Sequence, residues 1–120
     1  MAEPVIGIDL GTTYSAVGIV EAGFPILLAD EAGERLTPSV VWFGPGEVKA
    51  GRAALREDPG GRLVRSAKRQ MGVRYGEHAE VGLPLARDSD GGVAYLTAEG
   101  TRTPVEVSRV LLGELKRIAE

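Results

Sequence analysis

The 120-residue chain carries 14 basic and 17 acidic residues, is 43% hydrophobic and 26% charged, and contains no cysteine. That size and balance suit one soluble globular unit or a piece of a larger one, and a net charge of −3 with dispersed cations offers nucleic acid no basic stripe. Disulfides are excluded, a zinc site would rest on His78 and carboxylates alone, and the absence of a leader-like N-terminus or a bilayer-length apolar run predicts a cytoplasmic protein without a membrane role.

Along the chain, β-branched residues in PVIGID (4–9) and YSAVGIV (14–20) predict two strands. FPILLA (24–29) follows the turn EAG (21–23) and completes an antiparallel meander. PSVVWF (38–43) and EVKA (47–50) flank GPG and predict a hairpin, with Trp42 in the core or on a partly covered face. RAALRED (52–58) predicts a short helix stopped by Pro59. In GGRLVRSAKRQMG (60–72), Leu63, Val64, Ala67 and Met71 recur at helical spacing with Arg65 and Arg69 opposite, which predicts one amphipathic helix. His78 reads as an exposed loop residue. Strands are expected around LPLAR and GVAYLT, joined by a DSDGG turn, with EG a tight turn before TRT. The last helix has Thr103 to cap it, Pro104 at its first position and Glu106 to complete a capping box. Val107, Val110, Leu111, Leu115 and Ile118 keep the helical period, and no Gly, Asn or Pro follows KRIAE, so the chain reads as cut within a helix.

The chemistry concentrates in GIDLGTTYSAVGIV (7–20). Asp9 ends one strand and LGTT turns into the next, so the amides of Gly11, Thr12 and Thr13 can converge on an anion, with two hydroxyls as further donors. Asp9 beside a phosphate makes sense when a hydrated Mg²⁺ lies between them, held through its waters. Taken alone, the five residues DLGTT fit a hydrogen-bonded hairpin turn equally well. Lys68, at the flank of the predicted apolar stripe, reads by itself as a stem lying over apolar surface with its ammonium in water. DSDGG lacks the later ligands of a calcium loop, and GPGEVKAG lacks the context of a dinucleotide fingerprint.

IGIDLGTTYSAVGIV, the meander, ADEAGERLTPSVVWF, SAKRQMG and PVEVSRVLLGELKRIAE, in that order, resemble the start of the seventy-kilodalton heat-shock chaperone family, the DnaK-like proteins. The resemblance implies an α/β chain with the actin-like, ribonuclease-H-like ATPase fold, first lobe only, built of a β-meander, hairpins and amphipathic helices. It implies ATP or ADP with Mg²⁺ as cofactors. Phosphates would be held at Gly11, Thr12, Thr13 and Tyr14, Mg²⁺ by Asp9 through water, and Lys68 would reach the same phosphates from the other side, with Lys68 and Asp9 as the catalytic pair. It further implies unfolded client peptides and co-chaperones as partners of the full-length protein. Leu36 stands where the family usually has a threonine, and Gln70 and Met71 where it has an apolar pair. The family's second phosphate loop, adenosine segment and peptide-binding domain correspond to nothing before Glu120. Residues 1–120 are therefore expected to be an N-terminal fragment of the ATPase domain, nearly inactive alone and prone to self-association. Sugar and glycerol kinases of the same superfold, and a non-catalytic actin-like interaction module, are the alternatives.

Overall fold

In the computed structural model, which describes residues 5–78 and 82–120, the first three strands form the expected meander. β1 (Gly7–Asp9) pairs antiparallel with β2 (Tyr14–Glu21), and β2 with β3 (Phe24–Leu27). Ala22 and Gly23 both take positive φ, 51° and 84°, the two-residue turn whose twist suits a hairpin, and Glu21 pairs with Phe24 across it. β1 is shorter than the expected strand over 4–9, whose first residue, Pro4, lies outside the described residues. β3 ends at Leu27, two residues before Ala29.

The expected strand over 38–43 is divided at Ser39. β4 (Thr37–Pro38) pairs with the start of β2, whereas β5 (Val40–Gly44) belongs to a different sheet, between β6 (Glu47–Ala50) and β7 (Leu63–Arg65). Side chains alternate across β5: Val41 and Phe43 join one apolar cluster, Val40 and Trp42 the other. Trp42 is thus a core residue, with its indole N–H donating to the Asp58 carbonyl at 3.0 Å. α1 (Arg52–Leu55) is a single turn that ends well before Pro59, shorter than the expected 52–58.

The amphipathic helix expected over 60–72 is not formed. Leu63–Arg65 is strand β7, Ser66 turns the chain with a left-handed φ of 54°, and Ala67–Gln70 makes one 3₁₀ turn. The reason is tertiary. β5 is buried on both faces and needs a partner along its second edge, and the segment after Gly61 supplies it: Val64 lies opposite Val41 and is buried there. Met71, assigned to the buried stripe by periodicity, is exposed.

β8 (Leu85–Arg87), β9 (Val93–Thr97) and β10 (Gly100–Arg102) form a third antiparallel sheet, with DSDGG as the β8–β9 turn and Ala98–Glu99 between β9 and β10. His78 is half-buried rather than exposed: its Nδ1 accepts from the Gly76 amide at 3.1 Å, and its ring lies 5.0 Å from that of Tyr75. α2 (Pro104–Ala119) starts with the predicted capping box, in which Thr103 Oγ1 accepts from the Glu106 amide and the Glu106 carboxylate accepts from the Thr103 amide. Its buried face, Val107, Ser108, Leu111 and Leu115, packs toward β2, β5 and the 3₁₀ turn. The main core, Val41, Phe43, Val64, Ala67, Tyr95, Val107 and Leu111, therefore sits beneath α2, between strands of two sheets.

Candidate functional site

The loop Leu10–Thr13 leaves the end of β1 and enters β2. The ladder between these strands closes at Asp9 opposite Ala16, so the two residues at the start of β2, Tyr14 and Ser15, are free to pair instead with β4. Asp9, Thr13 and Tyr14 are exposed, and Gly11 and Thr12 are half-buried. A Cβ at Gly11 would collide with the Tyr14 carbonyl oxygen, so only glycine allows the chain to double back this closely.

The hydrogen bonds of this loop fall on its carbonyls and leave its amides open among the described residues. Two of its carbonyls are held by Ser39: Gly11 O accepts from Ser39 Oγ at 2.9 Å, and Thr13 O accepts from the Ser39 amide at 2.9 Å. The amides of Gly11, Thr12 and Thr13 donate to no described residue, and the Thr12 and Thr13 hydroxyls likewise make no hydrogen bond among the described residues. This is the donor set a phosphate oxygen requires, three amides and two hydroxyls on one tight loop, with one carboxylate next to it. Among the described residues no group of three His, Asp or Glu side chains converges, so the loop offers a metal one carboxylate only. That suits Mg²⁺, which keeps most of its waters and shares phosphate oxygens. The residues present fit a magnesium nucleotide.

Lys68 stands exposed on the 3₁₀ turn, not on the flank of a long helix, and makes no ion pair with a described residue. Its connection to the loop runs through Ser39, whose carbonyl accepts from the Ser66 amide at 3.2 Å. One residue thus links the loop carrying Gly11, Thr12 and Thr13 with the turn carrying Lys68. The sequence carries a signal for Ser39 as well: a serine beside the apolar run VVWF, buried where β4 passes to β5, needs hydrogen-bond partners, and here it has four.

The approach to Ser39 is braced from below. Asp30 Oδ1 accepts from the amides of Ala32 and Glu34, and Arg52 joins Asp30 Oδ2 at 3.3 Å while donating to the Leu36 carbonyl. Burial raises the Asp30 carboxyl, but the Glu34 amide, Arg52 and the Ala32 amide together outweigh it and hold the group below its ordinary value. Arg117 on α2 adds an ion pair to Glu31, 2.8 Å away, so the segment 30–36 is tied to both helices. Leu36, the departure from the family's threonine, is exposed and contributes its carbonyl rather than its side chain.

Two hollows flank these elements. One of about 840 Å³ lies against the open meander and is lined by Val5, Gly7, Asp9, Gly18, Val20 and Leu27 among others, so Asp9 stands at its border. The other, about 400 Å³, lies between the end of the 3₁₀ turn, the DSDGG turn and the start of α2, and none of the residues from Asp9 to Tyr14 lines it.

Residues 5–120 match the family model described as Hsp70 protein. The chain is 39% identical over 117 residues to the chaperone protein DnaK of Thermus thermophilus, which covers 92% of this chain and 19% of that protein. It is 41% identical over 130 residues to the heat shock 70 kDa protein BIP3 of Oryza sativa subsp. japonica, covering 97% and 19% of the two chains. To the chaperone protein HscA homolog of Bordetella pertussis it is 42% identical over 120 residues, covering 96% and 19%. The chain spans about a fifth of the length of these curated relatives.

Proposed function

This chain belongs to the Hsp70 family, whose nucleotide-binding domain has the actin-like, ribonuclease-H-like fold, and from that premise we propose that residues 1–120 are the N-terminal part of that domain, the lobe that grips the phosphates of Mg²⁺·ATP or Mg²⁺·ADP in a chaperone ATPase. The sugar and glycerol kinase reading is not favoured, because the family match runs through the whole segment from residue 5 to residue 120. The observation that carries the proposal is the loop's division of labour: the Gly11 and Thr13 carbonyls engaged by Ser39, and the Gly11, Thr12 and Thr13 amides left without a partner among the described residues.

In this reading those amides and the two threonine hydroxyls donate to phosphate oxygens, with Tyr14 at the loop's exit. Asp9 would hold a bound Mg²⁺ through its waters, and the cation's charge would offset the repulsion between carboxylate and phosphate. Bound ATP supplies the transferable γ-phosphoryl group. The Lys68 ammonium offsets negative charge redistributed during hydrolysis, a preorganised electrostatic contribution rather than proton transfer. Catalysis by positioning needs both walls of a cleft, so the 120-residue chain alone is inactive or nearly so, and its full-length protein works in the cytoplasm on unfolded client peptides with co-chaperones.

The test uses the full-length protein. Asp9→Asn keeps the shape and removes the charge, and is expected to weaken Mg²⁺-dependent nucleotide binding while leaving the melting temperature nearly unchanged. Lys68→Ala is expected to keep ATP affinity within about tenfold and to slow single-turnover hydrolysis on the order of a hundredfold or more, with Arg69→Ala near the parental rate. Parental single-turnover rates in Lys68→Ala, or normal activity in the folded fraction of a destabilised Asp9→Asn protein, would sink the assignment.

A further inference from the structure

We propose that Ser39 is a positioning residue that sets the phosphate loop and the Lys68 turn in a single arrangement; this deepens the phosphate-site reading above and rests on it. Ser39 is buried, at 4% exposure, at the point where the chain passes from the meander sheet to the β5 sheet. All of its polar atoms are engaged: Oγ with Gly11 O and Ser15 Oγ, the amide with Thr13 O, the carbonyl with the Ser66 amide.

Two consequences follow from elementary chemistry. Gly11 O can only accept, so the Ser39 hydroxyl proton is committed to it, and in the 2.8 Å contact with Ser15 the proton comes from Ser15. The pair forms a directed relay, Ser15 to Ser39 to Gly11. Because a trans peptide is planar, drawing the Gly11 carbonyl toward Ser39 turns the Thr12 amide in the opposite direction, away from the protein. The hydroxyl therefore aims a donor that it never touches. On its other side, the Ser39 carbonyl anchors Ser66 in its left-handed conformation, φ 54°, at the start of the turn that presents Lys68. Movement of Ser39 displaces donor loop and ammonium together.

The experiment compares Ser39→Ala with Ser15→Ala in the full-length protein. Ser15 is as buried as Ser39 and shares the relay, but its removal leaves the Ser39–Gly11 bond in place. Ser39→Ala is expected to weaken binding of a fluorescent ADP with Mg²⁺ about tenfold, the equivalent of one net hydrogen bond. It is also expected to quicken amide hydrogen exchange both at residues 11–13 and at residues 66–70. Ser15→Ala is expected to lower the melting temperature comparably while holding nucleotide affinity within about twofold. Ser39→Cys, close in shape with a weaker donor, gives the same readouts should the alanine variant fail to fold. Equal affinity losses in the Ser39 and Ser15 variants, or exchange that quickens in one segment only, overturns the proposal. Asp9→Asn distinguishes the failure of the underlying reading: parental Mg²⁺·ADP affinity in that variant, alongside quickened exchange in both segments for Ser39→Ala, removes the phosphate site and with it the functional part of the Ser39 role.

Discussion

At the scale of single residues, Tyr95 shows how burial alone sets a chemical property. It is fully buried against the main core, and its hydroxyl has no hydrogen-bond partner among the described residues. An unsatisfied buried donor costs about 1–3 kcal/mol, and burial also disfavours the phenolate, pushing the group from 10.0 up to about 12. The folded state thus holds the proton more tightly than the unfolded state. The sign follows: this contribution to stability is fully present below pH 10 and is lost as pH rises from 10 through 12. Tyr95→Phe is expected to be neutral or stabilising near pH 8, by up to about 1 kcal/mol, and to flatten the alkaline loss. Urea unfolding of both proteins at pH 8 and pH 11 checks it, and a phenylalanine variant that is markedly weaker at pH 8 would reveal a hydroxyl contact of real value. The tight turn at Gly11 was legible at this scale because a close backbone approach demands glycine. Ser39 was not, because its importance lies in which carbonyls it reaches.

At the scale of elements, α2 was the most readable part of the chain. Its entry is encoded within four residues, and the structure shows both halves of the capping box. Thr103→Ala removes one orphan-amide acceptor and is expected to cost about 1 kcal/mol, read as a shift of the urea midpoint at unchanged slope. No shift would mean that the packing of Val107, Leu111 and Leu115 holds the first turn regardless. The segment 60–72 departs from its helical periodicity for a physical reason. Leu63, Val64 and Ala67 satisfy a helical spacing over a short window, yet Gly61 and Gly72 bound too few residues for a helix to stand without packing support. The empty edge of a strand buried on both faces competed for the same residues and prevailed.

For the whole molecule, dimensions matter more than motifs. The radius of gyration is 15.5 Å, against about 13.6 Å for a closed domain of this length. The accessible surface is 7428 Å², where a self-contained monomer of this mass shows about 6200 Å². Part of the surplus is apolar and gathered on the meander: Val5, Val20 and Phe24 are 82%, 71% and 71% exposed, and Leu27 is 47% exposed. The 120-residue chain alone is therefore expected to self-associate, with Val20→Lys and Leu27→Lys on the border of the 840 Å³ hollow restoring monomer. Sedimentation at increasing concentration checks this, and a clean monomer throughout for the parent chain would refute it.

The sequence by itself determined the meander, the hairpins, the capped terminal helix and the tight Asp9–Thr13 turn, because each depends on contacts a few residues apart: turn chemistry, capping and side-chain period. Only the tertiary structure decided that Ser39 is where the chain changes sheets, that Leu63–Arg65 is a strand, and that Lys68 rides on a 3₁₀ turn. Those outcomes depend on partners 24 to 28 residues away in the Ser39 contacts with Ser15 and Gly11, and on which sheet edge was left unpaired. Hydrogen-bond valence and burial are settled between distant segments, and local periodicity does not encode them.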